Sequence, residues 1–156
     1  MANYLGVDVG YKRIGLSIGS SDLMIALPIP ALIINNNIDS FQDLAKVVKD
    51  NRIDVVVFGH PLNMDGSIGN MAKYVDTFIA NFRKYVPADV EFIKSDERLT
   101  SQQAETERHA VRFESAKKKR NNRRRGVIDS NAAAIILQDY MDELTRGLVS
   151  NKQKNR

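Results

Sequence analysis

The sequence predicts an α/β fold: a mixed sheet, made of an antiparallel β-meander followed by βα crossovers, with helices on both faces. Three observations predict it. From Tyr4 to Ile18 apolar residues alternate with small or polar ones on either side of a glycine-containing turn, the mark of a hairpin. Val55-Val-Val-Phe58 is short, β-branched and wholly apolar, as a strand covered on both faces should be. Helical stripes of apolar residues follow the meander and each later strand.

In the first strand Leu5, Val7 and Val9 share one face, and Gly6 and Asp8 the other. After the turn Ile14, Leu16 and Ile18 alternate with Arg13, Gly15 and Ser17. Gly6, Gly10 and Gly15 would let a second backbone or a phosphate come close. The third strand falls between Met24 and Ile34. Pro28 and Pro30 lack backbone donors, which predicts an edge strand. Asn35–Asn37 reads as a polar turn, and Asp39 with Gln42 as a capping box opening a helix with Phe41, Leu44, Ala45 and Val48 on its inner face. That helix ends at Asn51-Arg52.

The apolar strand at 55–58 is followed by a predicted loop, Gly59 to Gly66, and a helix from about Ser67 to Lys84 with Met71, Val75, Phe78, Ile79 and Phe82 on one face. Val90–Ile93 makes a fifth strand, with Asp96-Glu97 at its C-terminal end. Thr100 and Gln103 form a further capping box before a helix to about Phe113, which would carry His109 as a surface residue. The last helix starts near Asp129-Ser130, where either residue is suited to cap. It carries Ala132, Ala133, Ile136, Tyr140 and Leu144, its alanine run allowing close approach to a sheet. One domain over 1–149 and a disordered polar tail over 150–156 complete the expectation.

With 156 residues the chain can bury one sizeable core. It has no cysteine, which excludes disulfides and thiolate chemistry. A strand begins too early for a signal peptide, and no apolar run approaches the roughly 20 residues that span a bilayer. A cytoplasmic protein is the expectation. Net charge is +4, but it is concentrated: Lys117, Lys118, Lys119, Arg120, Arg123, Arg124 and Arg125 are seven of the 23 basic residues. Elsewhere 16 basic residues face 19 acidic ones, a balance of −3. A single basic segment on a mildly acidic body is the footprint of a polyanion.

Asp8 is a carboxylate inside an apolar strand, a costly position unless a metal, donor or substrate meets it. In an open α/β sheet ligands bind beyond the carboxyl ends of the strands. Asp8, the acids at 96–97 and Asp129 can converge there. Clustered carboxylates repel one another and need cations, and oxygen ligands alone favour Mg²⁺ or Mn²⁺. Two such ions about 4 Å apart suit phosphodiester hydrolysis. Asp129 is equally suited to be only a helix N-cap, Glu97 to pair with Arg98 or Arg52, and Asp96 to accept hydrogen bonds in the turn. Lys12 and Arg13 are turn residues or phosphate contacts. His60 reads as a loop residue.

Four stretches carry a resemblance: Leu5-Gly-Val-Asp-Val-Gly-Tyr-Lys-Arg-Ile-Gly15, Phe58-Gly-His-Pro-Leu-Asn-Met-Asp-Gly-Ser67, Asp96-Glu-Arg-Leu-Thr100 and Asp129-Ser-Asn-Ala-Ala-Ala134. In that order they resemble the motifs of the YqgF/RuvX family, described both as Holliday junction resolvases and as pre-16S rRNA nucleases, over about residues 4–145. The resemblance implies an RNase H-like fold and an acidic triad of Asp8, Glu97 and Asp129. It also implies a part in maturing the 5′ end of 16S rRNA in the cytoplasm. The second motif departs from the family's usual Gly-Leu-Pro, with His60 between Gly59 and Pro61, which adds a candidate ligand or proton carrier near the site. The expected partners are structured RNA, as in ribosomal precursor particles, or branched DNA, bound through Lys12, Arg13, Arg98 and the basic segment. Two other classes compete with the enzyme: a nucleic-acid-binding protein without turnover, and a phosphate-binding module of the sugar kinase and actin type. The latter needs a second comparable domain, for which 156 residues leave no room.

Overall fold

A computed structural model describes residues 1–61, 63, 65–96 and 130–147. Glu97, Arg98, the helix expected over 100–113 with His109, the basic segment 117–125, Asp129 and the tail lie outside the described residues. Five strands form one sheet in the order β3-β2-β1-β4-β5. They are β1 (Asn3–Val9), β2 (Arg13–Ser20), β3 (Leu27–Ile33), β4 (Val55–His60) and β5 (Glu91–Asp96). The first three pair antiparallel, and β4 runs parallel to both β1 and β5. The sheet is thus mixed, as the alternation and the apolar run predict, and β3 with its two prolines occupies an edge.

Helices α1 (Asn37–Asp50) and α2 (Asn70–Phe82), the latter continued by a 3₁₀ turn (Arg83–Tyr85), cover one face. Leu5, Val7, Val9, Ile14, Leu16, Val56 and Phe58 meet Phe41, Leu44, Val48, Val75, Phe78 and Phe82 there. Helix α3 (Asn131–Thr145) covers the other face, packing Ile136, Leu137, Tyr140 and Met141 against Tyr4 and Val57.

Several local expectations are corrected. Helix α1 is capped by Asn36, not Asp39: the Asn36 side chain accepts the Asp39 N–H at 2.8 Å, so Asp39 sits inside the first turn, where its negative charge suits the helix dipole. The expected loop begins later, because Gly59 and His60 continue β4 and pair with Ser95 and Asp96 of β5. His60 is accordingly a buried strand residue, and Asp96 is the last residue of β5. Ala132 is exposed on α3, while Leu137 and Met141 are buried, so the inner stripe is rotated from the expected one.

His60 Nε2 lies 3.0 Å from Asp76 Oδ1 of α2, and Lys94 Nζ lies 2.7 Å from the same oxygen. The Lys94 ammonium, with His60 adding to it, holds the Asp76 carboxyl below the usual carboxylate range. These three side chains fasten α2 to the ends of β4 and β5 on the face opposite Asp8. The distinctive histidine of the second motif is engaged there.

Candidate active site

Alternation along β1 assigns Asp8 to the α3 face, since Tyr4 packs into the α3 cluster and Leu5, Val7 and Val9 into the opposite one. Helix α3 runs antiparallel to β1. The Tyr140 ring stands edge-on to Tyr4, with centroids 6.1 Å apart, and a Cβ added at Gly6 would lie 2.7 Å from the Ala133 carbonyl oxygen. The start of α3 therefore points toward the Asp8 end of the strand. Close approach is what the alanine run and the glycines predict. The Ser17 hydroxyl, opposite Gly6 in the ladder, donates to the Ala133 carbonyl at 2.7 Å and fixes the helix at that level.

Ser130 fixes the helix start itself. It is fully buried, and its hydroxyl accepts the Leu16 N–H at 3.2 Å, where an irregularity in the β2–β3 ladder interrupts the pairing. Ser130 borders the helix without a side-chain capping bond, because that hydroxyl is committed to the sheet. Ser130→Ala is expected to cost about 1–3 kcal/mol by depriving a buried N–H of its acceptor. Urea unfolding checks this, and an unchanged midpoint would count against the role given to the hydroxyl.

Asp8 itself is half-buried, and burial raises its carboxyl above the ordinary range. Among the described residues no donor or cation meets this carboxylate. Across the sheet Val7 pairs with Phe58, and Phe58 with Lys94, so Asp8 lies one step before the level of His60 and Asp96, at the carboxyl ends of three parallel strands. That is where an open α/β sheet places its ligands. Lys12 and Arg13 are exposed in and beside the β1–β2 turn at the same end. Of the expected acids, Glu97 directly follows β5, and Asp129 directly precedes Ser130. Among the described residues no three potential ligands cluster. The carboxylate chemistry still fits a hard divalent cation: a half-buried Asp side chain with no described partner bears its charge at least cost when one is bound.

Tyr11 is not singled out by the sequence alone. It lies in the turn after Asp8 and packs against Tyr74 of α2, with ring centroids 4.8 Å apart. An exposed aromatic next to two basic residues was the available signal.

The model of the family described as "RuvX: Holliday junction resolvase" matches residues 2–143. A protein of Opitutus terrae bearing the name "Putative pre-16S rRNA nuclease" is 40% identical over 89% of this chain and 90% of its own. One of the same name from Sulfurihydrogenibium sp. is 33% identical over 93% of each chain. In fold the chain is similar to the Fowlpox virus Holliday junction resolvase (TM-score 0.51, 16% identity, 91% of this chain and 99% of that one). It is likewise similar to Thermus thermophilus RuvC (TM-score 0.51, 14% identity, 93% and 96%). The fold is RNase H-like. Fold and relatives together define the class: a nuclease, a hydrolase of phosphodiester bonds. Within that class the chain belongs to the RuvX family.

Proposed function

We propose that this chain is a divalent-metal-dependent nuclease that trims the 5′ end of pre-16S rRNA in the cytoplasm. Residues 1–149 act as one domain on free precursor RNA or on ribosomal precursor particles. The observation that carries the proposal is the Asp8 carboxylate, half-buried at the carboxyl end of the central strand and without a described partner. The relatives' shared name supplies the RNA.

In this reading Asp8, Glu97 and Asp129 hold the metal, most simply two Mg²⁺ or Mn²⁺ ions. When bound, such ions supply Lewis acidity to the attacking and leaving oxygens of the phosphodiester. The chain's own part is to position the acids. Asp8 is fixed by the β1 ladder, Asp129 is next to the anchored Ser130, and Glu97 is next to the last paired residue of β5. Lys12, Arg13, Arg98 and the residues Lys117, Lys118, Lys119, Arg120, Arg123, Arg124 and Arg125 bind backbone phosphates. Such contacts fix position rather than read sequence. Replacing Lys117, Lys118 and Lys119 by Gln is therefore expected to weaken binding to unrelated sequences alike and to lower the salt slope by about 3. Anisotropy titrations over a salt series check this, and a sequence-selective loss would contradict it.

Cleavage of four-way DNA junctions is the second reading, favoured by the family's description. Both substrates are offered to the purified protein with Mg²⁺: a 16S precursor carrying its 5′ leader and a synthetic four-way junction. Cutting of the RNA supports the maturation nuclease. Cutting of the junction alone replaces it with the resolvase.

A further inference from the structure

We propose that Tyr11 is a stacking platform for an unpaired nucleobase beside the phosphate to be cut. The proposal rests on the nuclease reading for the position of that phosphate and on geometry for the rest. Tyr11 is 61% exposed, yet it is not a loose side chain. Its ring leans on Tyr74 of α2 at 4.8 Å between centroids and 48° between planes, so one side is supported while more than half of the residue stays open to solvent.

The backbone beneath the ring is equally restrained. The Gly10 N–H donates to the Arg13 carbonyl at 2.9 Å, closing the turn, and the Ile34 N–H donates to the Lys12 carbonyl at 2.9 Å, tying it to the end of β3. A Cβ at Gly10 would lie 2.7 Å from the Arg13 carbonyl oxygen, so the turn in this form requires glycine there. A tyrosine has two side-chain torsions to order, and here packing against Tyr74 already restrains them.

Position relative to Asp8 gives the ring its use. Two residues lie between them, so their Cα atoms, three steps apart, are at most about 11 Å from each other, and less in a closed turn. The ring rests on the α2 side of the sheet and the Asp8 carboxylate on the α3 side, so a strand crossing the carboxyl edge of the sheet with a phosphate at Asp8 would bring a base a few nucleotides away to the ring. Exposed Lys12, next in the chain, is placed for the intervening backbone. Every base has a π-face, so stacking tolerates any sequence but requires the base to be free of its partner. Tyr11 would therefore select strands opened at the cutting position over continuous duplex. This defines the substrate class more narrowly than structured RNA: a single-stranded or unstacked step bordered by structure.

The test is binding in EDTA, where no cleavage intervenes. The probes are a short single-stranded RNA carrying one 2-aminopurine at successive positions, and a perfectly paired RNA duplex of the same sequence. Tyr11→Ala is expected to weaken single-strand binding about 5- to 100-fold, leave duplex binding unchanged, and abolish the 2-aminopurine quenching seen at one position with the wild type. Tyr11→Phe should retain both affinity and quenching. An exposed residue should not alter the fold, which matched thermal unfolding of the variants verifies. Equal weakening of single strand and duplex, unchanged single-strand affinity, or quenching that survives Tyr11→Ala would overturn the platform. Its failure separates from that of the nuclease reading. Position-specific quenching lost in Tyr11→Ala, in a protein that never cuts RNA, keeps the platform and removes the maturation nuclease. Normal cutting by a Tyr11→Ala protein of wild-type affinity does the reverse.

Discussion

Asp8→Asn is expected to slow RNA cleavage by about three orders of magnitude while leaving RNA binding and the fold intact. Losing one metal-holding carboxylate removes several kcal/mol of transition-state stabilisation, and each 1.36 kcal/mol is about a decade in rate. In the proposed function binding rests on phosphate contacts elsewhere. Stability should move in the opposite direction to activity. Burial raises the Asp8 carboxyl, so the folded chain holds that proton more tightly than the unfolded chain does. Without metal, the wild type loses stability as pH rises from the ordinary carboxylate range through the raised folded value, and above that value carries the whole penalty. The asparagine has no such penalty. Thermal unfolding in EDTA should therefore show Asp8→Asn melting above the wild type at neutral pH and approaching it in acid. Added Mg²⁺ should raise the wild-type midpoint more than the mutant's. Collapse of the mutant fold, or undiminished cleavage, would remove Asp8 from the site.

Gly6→Ala should be the most damaging small substitution in the sheet. The added carbon would stand 2.7 Å from the Ala133 carbonyl oxygen and 2.8 Å from Leu137 Cβ. Neither is the far end of a flexible side chain, so α3 as a whole must lift from β1. Overpacking of this kind costs about 3 kcal/mol. It also displaces Ser130, and with it the attachment of Asp129, so activity should fall further than the lost fraction of folded protein explains. Urea unfolding and the rate per folded molecule measure the two effects separately. Stability within about 0.5 kcal/mol of wild type would contradict the close packing of α3 on β1.

Much of this arrangement is legible in residue order because strands of one sheet declare themselves locally. Leu5, Val7 and Val9 alternate with Gly6 and Asp8, and the prolines of β3 mark an edge. Glycine and alanine at facing positions announce a helix lying close. What escaped reading depended on tertiary partners. Gly59 and His60 look like the start of a loop before Pro61, but hydrogen bonding to β5 carries the strand through them. Asn36 caps α1 inside what reads as a polar turn. Ser130 resembles a helix cap, yet its hydroxyl serves a backbone N–H of β2, 114 residues away. Within the candidate site Asp8 could be named from its strand. Tyr11 was legible only as a turn residue until α2 brought Tyr74 beneath it. Glu97 and Asp129 are assigned from the motifs that contain them.

Metal-dependent cleavage at Asp8 is tested on a 16S precursor carrying its 5′ leader, with wild type and Asp8→Asn side by side, in Mg²⁺, in EDTA, and in EDTA followed by excess Mg²⁺. Expected are cutting by the wild type in Mg²⁺, none in EDTA, recovery when Mg²⁺ is restored, and cutting by the mutant about a thousandfold slower in Mg²⁺. Wild-type cutting that persists in EDTA, or equal cutting by Asp8→Asn in Mg²⁺, would contradict metal-dependent cleavage at Asp8.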